Sequence, residues 1–149
     1  MAKDNVDVVQ QAWDAFARGD VDGAVEAIAP SAETRVPVSG PWGGTYVGPD
    51  GFRDFLYKLD RAFESFKATP DKVLGADDNH VIVVAKTRGR VKGGGTIEGN
   101  NVWVYQLRDG LIADAESWGD TAQVLQALGW LSRGGGLDPG LPLDRRRHP

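Results

Sequence analysis

The pattern of hydrophobic and polar positions changes its period along this chain. In about the first 66 residues, apolar side chains recur every three or four positions, which is the spacing of one helix face. This part predicts, in chain order, a helix at 4–18, a short helix at 21–28, strands at 33–38 and 45–47, and a helix at 49–66. Asp20 is placed to cap the second of these helices and Pro30 to end it.

In the later part of the chain, apolar and polar residues alternate, as they do in strands. It predicts strands at 68–76 and 80–91, a strand pair within 96–120 that turns at Asp109-Gly110, and a last helix from Asp120 to Leu128. Early helices and late antiparallel strands predict an α+β fold with helices on one face of a curved, mostly antiparallel sheet. Such a sheet, wrapped around the N-terminal helices, leaves a conical cavity, which we call the cone.

The first strand of the pair carries polar and aromatic groups on one face. Asn101, Trp103 and Tyr105 share this face, and Val102 and Val104 lie on the other. An amide, an indole and a phenol in one row are costly as plain core, because buried N–H and O–H groups need hydrogen-bond partners. The alternation therefore predicts that this strand forms one wall of a binding cavity.

The turn between the two strands decides which residues lie beside Trp103. A two-residue turn at 109–110 places Trp103 opposite Glu116, which puts a carboxylate on the cavity face. A three-residue turn places Trp103 opposite Ala115 and puts the hydroxyl of Ser117 on that face instead. We favour the first register because it groups two indoles on one face, but the sequence leaves both open.

Glu116 is the candidate general acid or base in the first register. It would lie between Trp103 and Trp118, where the loss of water would raise the pKa of its carboxyl toward neutrality. Asn101 would then donate a hydrogen bond to developing oxyanion charge. Asp120 is expected to cap the last helix and not to take part in chemistry.

Aromatic residues from several elements are available to line the cone. Trp13 and Phe16 in the first helix and Phe55 in the third lie at helical spacing on apolar faces. Periodic burial does not explain an aromatic residue in a turn, so Trp42 and Tyr46 are expected at the rim. The predicted substrate-binding residues are Trp13, Phe16, Trp42, Tyr46, Phe55, Trp103 and Trp118.

Length and composition predict a single domain. The chain has 149 residues, of which 41% are hydrophobic, and we place the domain at 1–129 and a flexible tail, rich in Gly, Pro and Arg, at 130–149. The sequence has no cysteine, and its two histidines, His80 and His148, lie far apart. We therefore expect no metal and no cofactor.

Charge narrows the class of partner. The first 129 residues carry 13 basic and 19 acidic side chains, a net charge of −6 that repels a phosphate backbone, so no nucleic acid is expected. No apolar run reaches the roughly 18 residues of a membrane span. We expect a cytoplasmic protein that does not bind membranes.

Three segments resemble the nuclear transport factor 2-like superfamily, and more narrowly its SnoaL-like and ketosteroid isomerase-like members. They are VVQQAWDAFARGDVDGAVEAIAP at 8–30, YVGPDGFRDFL at 46–56 and VYQLRDGLIADAESWGDTAQVLQALG at 104–129. The resemblance covers nearly all of the chain up to Gly129. It implies the conical fold, an apolar small-molecule ligand and a homodimer that forms through the outer face of the sheet.

The functional residues of the family carry over only in part. The two oxyanion-hole positions of ketosteroid isomerase fall on Ala12 and Asn101, and the position of its catalytic base falls on Val36. Of these three residues only Asn101 has a side chain that can form hydrogen bonds. The Asp-Arg-Asp trio of limonene epoxide hydrolase has no counterpart, because the basic residues of the strand at 80–91 are predicted to point away from the cone. The acid/base aspartate of SnoaL-type cyclases corresponds to Glu116, Asp114 or Asp120.

Two functions follow from these residues and this resemblance. The first is a cofactor-independent SnoaL-like enzyme of isomerase, cyclase or hydrolase type that acts on an apolar, carbonyl-bearing metabolite, with Glu116 and Asn101 as catalytic residues. The second is a non-catalytic binding or dimerisation domain for an apolar ligand, which fits the missing isomerase base.

Overall fold

The computed structural model describes residues 2–37 and 40–129, so the predicted tail at 130–149 lies outside the described residues. Within these ranges the elements are α1 (Ala2–Ala17), α2 (Val21–Val25), β1 (Ile28–Val36), β2 (Gly44–Val47), α3 (Gly48–Ala62), β3 (Phe63–Gly75), β4 (His80–Val91), β5 (Thr96–Arg108), β6 (Leu111–Trp118) and α4 (Thr121–Ala127). The strands form one curved, unclosed sheet in the order β2-β1-β6-β5-β4-β3. β1 and β6 run parallel and the other neighbours antiparallel, which confirms the predicted α+β fold.

The concave, inner face of the sheet holds the core. α1 packs on β3 and β4, and α3 packs on β1 and β3. β4 contributes Val81, Val83 and Ala85, which have no exposed surface, and they lie near Val9 of α1 and Phe55 of α3 in the same buried cluster. Burial on one face only is the pattern expected when helices cover one side of an antiparallel sheet.

The second helix is shorter than predicted. Asp20 caps it as predicted, because its carboxylate accepts a hydrogen bond from the Gly23 amide at 2.9 Å, but the helix ends at Val25. Ile28, which its spacing assigned to the helix, begins β1 and pairs with Ile112 of β6. A helix this short gains few hydrogen bonds of its own, and sheet pairing overrides the helical pattern.

The third helix also ends early. It stops at Ala62, so Phe63 and Phe66 lie in β3 and the prediction that placed them on the helix is wrong. Their spacing of three fits a helix face, but a register shift against β4 just after Phe63 puts both rings on one face of the strand, with centroids 5.0 Å apart. Gly89 of β4 makes room for them, since a Cβ there would lie 2.9 Å from the Phe63 ring.

The predicted strand at 80–91 is confirmed as β4, and its pairing with β5 is unbroken. The pairs run without a register shift from His80 with Gln106 to Arg90 with Thr96. An unbroken ladder keeps alternate side chains on the same face along its whole length. The odd-numbered residues of β5 from Trp103 onward therefore all face inward, as the alternation predicted.

Candidate functional site

The cone encloses a cavity of about 200 Å³ between the inner face of the sheet and the helices α1, α3 and α4. This is room for on the order of ten waters or for one small organic molecule. At one end, which we call the mouth, the lining residues lie in the exposed segments 98–100 and 118–120. At the other end, the deep end, the buried residues Ala24, Tyr105 and Ile112 line it.

Ten of the residues that line the cavity carry aromatic rings. The central ring is Trp103, which meets Trp13 and Phe55 edge to face, each at 6.2 Å between centroids, and stacks on Tyr105 at 5.9 Å. Stacked and edge-to-face contacts of this kind stabilise ring pairs by more than the burial of their apolar surface alone. The predicted residues that line the cavity are Trp13, Phe16, Trp42, Phe55, Trp103 and Trp118, and their contact with a ligand stays a prediction.

The two aromatic residues predicted at the rim lie elsewhere. Trp42 is buried and packs on Phe63 at 4.9 Å between centroids. Tyr46 is buried outside the cavity lining, against Phe55, and its hydroxyl donates to the backbone carbonyl of Trp42 at 2.6 Å. The placement of Tyr46 in the cavity is therefore wrong, because this residue fastens the loop that carries Trp42.

The β5–β6 hairpin has the two-residue turn of the favoured register. Asp109 and Gly110 both have positive φ, 53° and 78°, and Arg108 pairs with Leu111. Positive φ at both turn residues is the mark of a type I′ turn, which suits an Asp-Gly pair. Beyond this turn, however, β6 contains one extra residue, Ala113, which makes a β-bulge.

The bulge reverses the faces of β6. Beyond it, Trp103 lies opposite Ser117, so the hydroxyl of Ser117 faces the cone and Glu116 faces outward opposite Val104. The prediction that Glu116 lies between two indoles is wrong, because one extra residue turns every later side chain to the other face. The two registers predicted from the sequence differ only in the length of the turn, and neither includes a bulge after it.

On the outer face Glu116 belongs to an ionic cluster formed by Arg35, Asp114, Glu116 and Glu33. The guanidinium of Arg35 donates two hydrogen bonds to the Asp114 carboxylate, at 2.6 and 2.7 Å, and one to Glu116 at 3.5 Å. The hydrogen bond to Asp114 raises the pKa of the Arg35 guanidinium, which burial alone would lower. Glu33 lies 3.6 Å from the same guanidinium. These carboxylates neutralise an arginine and do not reach the cavity.

A neutral polar cluster of Thr87, Asn101 and Ser117 lies on the inner face near the mouth. The Thr87 hydroxyl donates to the Asn101 carbonyl oxygen at 3.0 Å, and the Asn101 amide nitrogen lies 3.5 Å from the Ser117 hydroxyl. An amide group has two N–H donors, and within the described residues no acceptor is found for the second N–H of Asn101. Gly119 permits this arrangement, because a Cβ there would lie 2.9 Å from the amide nitrogen.

A second polar group lies at the deep end. The indole N–H of Trp13 donates to the Tyr105 hydroxyl at 2.9 Å, and both side chains are buried. Burial raises the pKa of Tyr105 above the ordinary range of a phenol, so the hydroxyl stays protonated. The alternation along β5 placed Tyr105 on the cavity face, yet Tyr105 is not among the predicted site residues. The period-of-two spacing that identified Asn101 and Trp103 also identifies Tyr105.

The mouth is closed on one side by α4. Asp120 caps this helix as predicted, since its carboxylate accepts from the Gln123 amide at 3.0 Å. The Gln123 side chain accepts from the backbone amide of Glu98, and the Gly95 amide donates to the Ala127 carbonyl at 2.9 Å. α4 is therefore tied to the β4–β5 hairpin at both of its ends.

Carboxylates in the described part of the chain reach the cavity only at its mouth. Glu98 pairs with Arg88 at 3.4 Å and is largely exposed, and Asp120 is engaged as the helix cap. Within residues 2–37 and 40–129 no three His, Asp or Glu side chains gather as a metal site. No helix of these ranges is long and apolar enough to cross a membrane. The interior chemistry of the cone is therefore neutral hydrogen bonding.

Solved structures share this fold. A nuclear transport factor 2-like protein of Burkholderia thailandensis is 25% identical over 83% of this chain and 96% of its own, with a TM-score of 0.78. TerC, crystallised with polyporic acid, is 21% identical over 85% and 98%, with a TM-score of 0.75. A protein of Jannaschia sp. CCS1, proposed to be a SnoaL-like polyketide cyclase, is 19% identical over 84% and 91%, with a TM-score of 0.70.

Among curated proteins, none matches the sequence. The sequence model of the SnoaL-like domain matches residues 9–115, which is most of the part that forms the sheet and the cone. The match begins inside α1 and ends in β6, so it includes the elements that carry the aromatic wall. The chain belongs to the SnoaL-like domain family.

Proposed function

We propose that the cone binds an apolar, carbonyl-bearing small molecule and that Asn101 donates a hydrogen bond to its carbonyl oxygen. The observation that carries this proposal is that one N–H of Asn101 has no acceptor among the described residues, in a cavity lined mainly by aromatic and aliphatic side chains. Stacked and edge-on rings favour flat apolar ligands, and a buried donor favours a ligand that brings an acceptor. A relative with this fold was crystallised with an organic acid, polyporic acid, which agrees with a cone of this kind.

Binding is the function that the geometry favours over acid/base catalysis. A proton-transfer enzyme needs a titratable group within hydrogen-bond reach of the substrate. Glu116, the candidate for this role, faces outward, and the rim carboxylates Glu98 and Asp120 have other partners. The interior of the cone offers the ligand donors and rings, but no carboxylate.

A second candidate function is SnoaL-like catalysis without a carboxylate base. It is favoured by the relative proposed to be a polyketide cyclase and by the position of Asn101, which could stabilise an oxyanion. In this case the substrate or a water would carry the proton, and the chain would contribute hydrogen bonds and orientation. Turnover would then fall with loss of the Asn101 amide and not with loss of Glu116.

The test of binding compares two molecules that differ in one atom group. 2-Acetylnaphthalene carries a carbonyl where 2-isopropenylnaphthalene has a methylene, and the two have nearly the same shape. Isothermal titration calorimetry should show that the ketone binds about two- to ten-fold more tightly, the usual net value of one neutral hydrogen bond. If the hydrocarbon binds as well as the ketone, the proposed carbonyl contact does not exist.

The outer face of the sheet supports a second proposal, a homodimer. Two large apolar side chains are exposed on this face: Leu74, which pairs with Ile82 and is 50% exposed, and Trp118, which pairs with Val102 at the edge of the mouth and is 53% exposed. Exposed lysines lie toward the β3–β4 edge of this face, and the ionic cluster with its three carboxylates lies toward the β1–β6 edge. A two-fold axis along the strands would set the basic side of one copy over the acidic side of the other. Light scattering should give twice the chain mass; a monomer at millimolar concentration would refute the dimer.

A further inference from the structure

The Tyr105 hydroxyl has an unused hydrogen. It accepts one hydrogen bond from Trp13, and within residues 2–37 and 40–129 no acceptor is found for its own O–H. The side chain is 8% exposed and lines the deep end of the cavity. Buried polar groups in proteins are usually hydrogen-bonded to protein or to ordered water, so an acceptor for this O–H would come from what fills the cavity, a water or a ligand oxygen.

Asn101 and Tyr105 lie at two ends of one slot. They are on the same face of β5, four residues apart, so their Cα atoms are about 13 Å apart at about 3.3 Å per residue. Trp103 lies between them, and its ring is stacked on Tyr105 with an angle of 12° between the planes. Phe55 meets Trp103 edge to face on the α3 side. The slot is thus polar at each end and aromatic between.

We propose that the ligand of this cone is an elongated, flat aromatic molecule with an oxygen acceptor at each end, one held by Asn101 and the other by the Tyr105 hydroxyl. This inference rests on the proposed function, since it extends the same site from its mouth to its deep end. The ligand oxygen that Tyr105 holds at the deep end is a carbonyl, ether or phenol oxygen, because the Tyr105 hydroxyl is a neutral hydrogen-bond donor. Trp13 orients the hydroxyl by occupying one of its lone pairs.

The role of Tyr105 is to hold the ligand and not to transfer a proton. Burial raises the pKa of its hydroxyl, so the neutral donor persists throughout the physiological range. No carboxylate or imidazole of the described residues contacts this hydroxyl, which leaves no route for its proton. Tyr105 therefore selects for a distal oxygen and would not change the protonation of the ligand.

The test uses two ketones of equal length. Each is 2-acetylnaphthalene with a substituent at position 6, methoxy in one and ethyl in the other, so that they differ by an oxygen in place of a methylene. The wild-type protein should bind the methoxy ketone about two- to ten-fold more tightly, as one neutral hydrogen bond predicts. In Tyr105→Phe the order should reverse, because the ethyl group is the more apolar of the two.

The possible results separate this inference from the proposed function. If both ketones bind wild type but the methoxy ketone has no advantage, or if Tyr105→Phe keeps that advantage, the two-ended ligand is overturned while the Asn101 contact stands. If neither ketone binds, the proposed function fails and the inference fails with it. The wild-type comparison requires no variant, and circular dichroism of Tyr105→Phe shows whether its result refers to a folded protein.

Discussion

The inner and outer faces of the sheet carry polar groups of different kinds. On the inner face Thr87, Asn101 and Ser117 are neutral. Thr87 and Ser117 are buried, Asn101 is half-buried, and the Asn101 side chain lies within hydrogen-bonding distance of both hydroxyls. On the outer face Arg35 and Asp114 are charged, about one-third exposed and paired. Among the described residues, charged groups lie where water reaches them, and the cavity interior beyond the mouth is lined by neutral groups, because an unpaired buried charge is far more costly. The two faces therefore differ in chemistry: the inner face offers neutral hydrogen-bonding groups, and the outer face offers paired charges.

The largest expected effect comes from placing a charge on the inner face. Ser117→Asp buries a carboxylate beside Asn101, and we expect a loss of about 2–4 kcal/mol in the free energy of unfolding at pH 7. Burial raises the pKa of the new carboxyl, so the loss should grow as the pH rises above the ordinary value of about 4 and shrink below it. Urea denaturation at pH 4 and pH 7 measures both.

The control for that variant is its neighbour on the other face. Glu116→Asp keeps the charge on the outer side, where Arg35 and water are available, and should change stability by less than about 0.5 kcal/mol. A Ser117→Asp protein as stable as Glu116→Asp at pH 7 would mean that Ser117 faces water and that the bulge at Ala113 is not formed.

A smaller effect should come from removing one inner hydrogen bond. Thr87→Val keeps the shape of the side chain but leaves the Asn101 carbonyl oxygen without its donor, at an expected cost of about 1–2 kcal/mol. Thr69→Val is the matched change at an exposed position of β3 and should cost less than about 0.5 kcal/mol. Equal costs for the two, measured by thermal or urea unfolding, would argue against a structured polar cluster.

The sequence predicted the inner wall better than the strand beside it. Asn101 and Trp103 were placed correctly because the β4–β5 ladder has no register shift and preserves alternation. Glu116 was misplaced because a single extra residue, Ala113, follows a correctly predicted turn. A bulge is a property of two paired strands and of the curvature of the sheet, so one strand's alternation does not reveal it.

The same physical cause explains the misplaced end of α3. Phe63 and Phe66 are three residues apart, a spacing typical of helices, and a register shift in β3 gives the same result in a strand. Tyr46 was misplaced for another reason. It follows a turn-rich loop, and sequence does not show that its hydroxyl would reach back to the Trp42 carbonyl and bury the ring.

The smallest expected effect is a difference between the wild type and Tyr105→Phe in how the free energy of unfolding changes at alkaline pH. The folded pKa of Tyr105 is raised, so its contribution to stability is fully present below the unfolded pKa of about 10 and is lost as the pH rises through the folded value. Between pH 10 and 11 the wild type should lose up to about 1.4 kcal/mol that Tyr105→Phe does not lose. Equal slopes of unfolding free energy against pH would show that Tyr105 is not buried as a neutral phenol.

One pair of variants tests the central claim that the cone binds its ligand through the neutral inner face. Asn101→Leu and Glu116→Gln are titrated with 2-acetylnaphthalene by calorimetry, beside the wild-type protein. We predict that Asn101→Leu loses about two- to ten-fold in affinity, the value of one neutral hydrogen bond, and that Glu116→Gln binds as the wild type does. A loss confined to Glu116→Gln would contradict this account, since it would place the carboxylate, and not the amide, in contact with the ligand.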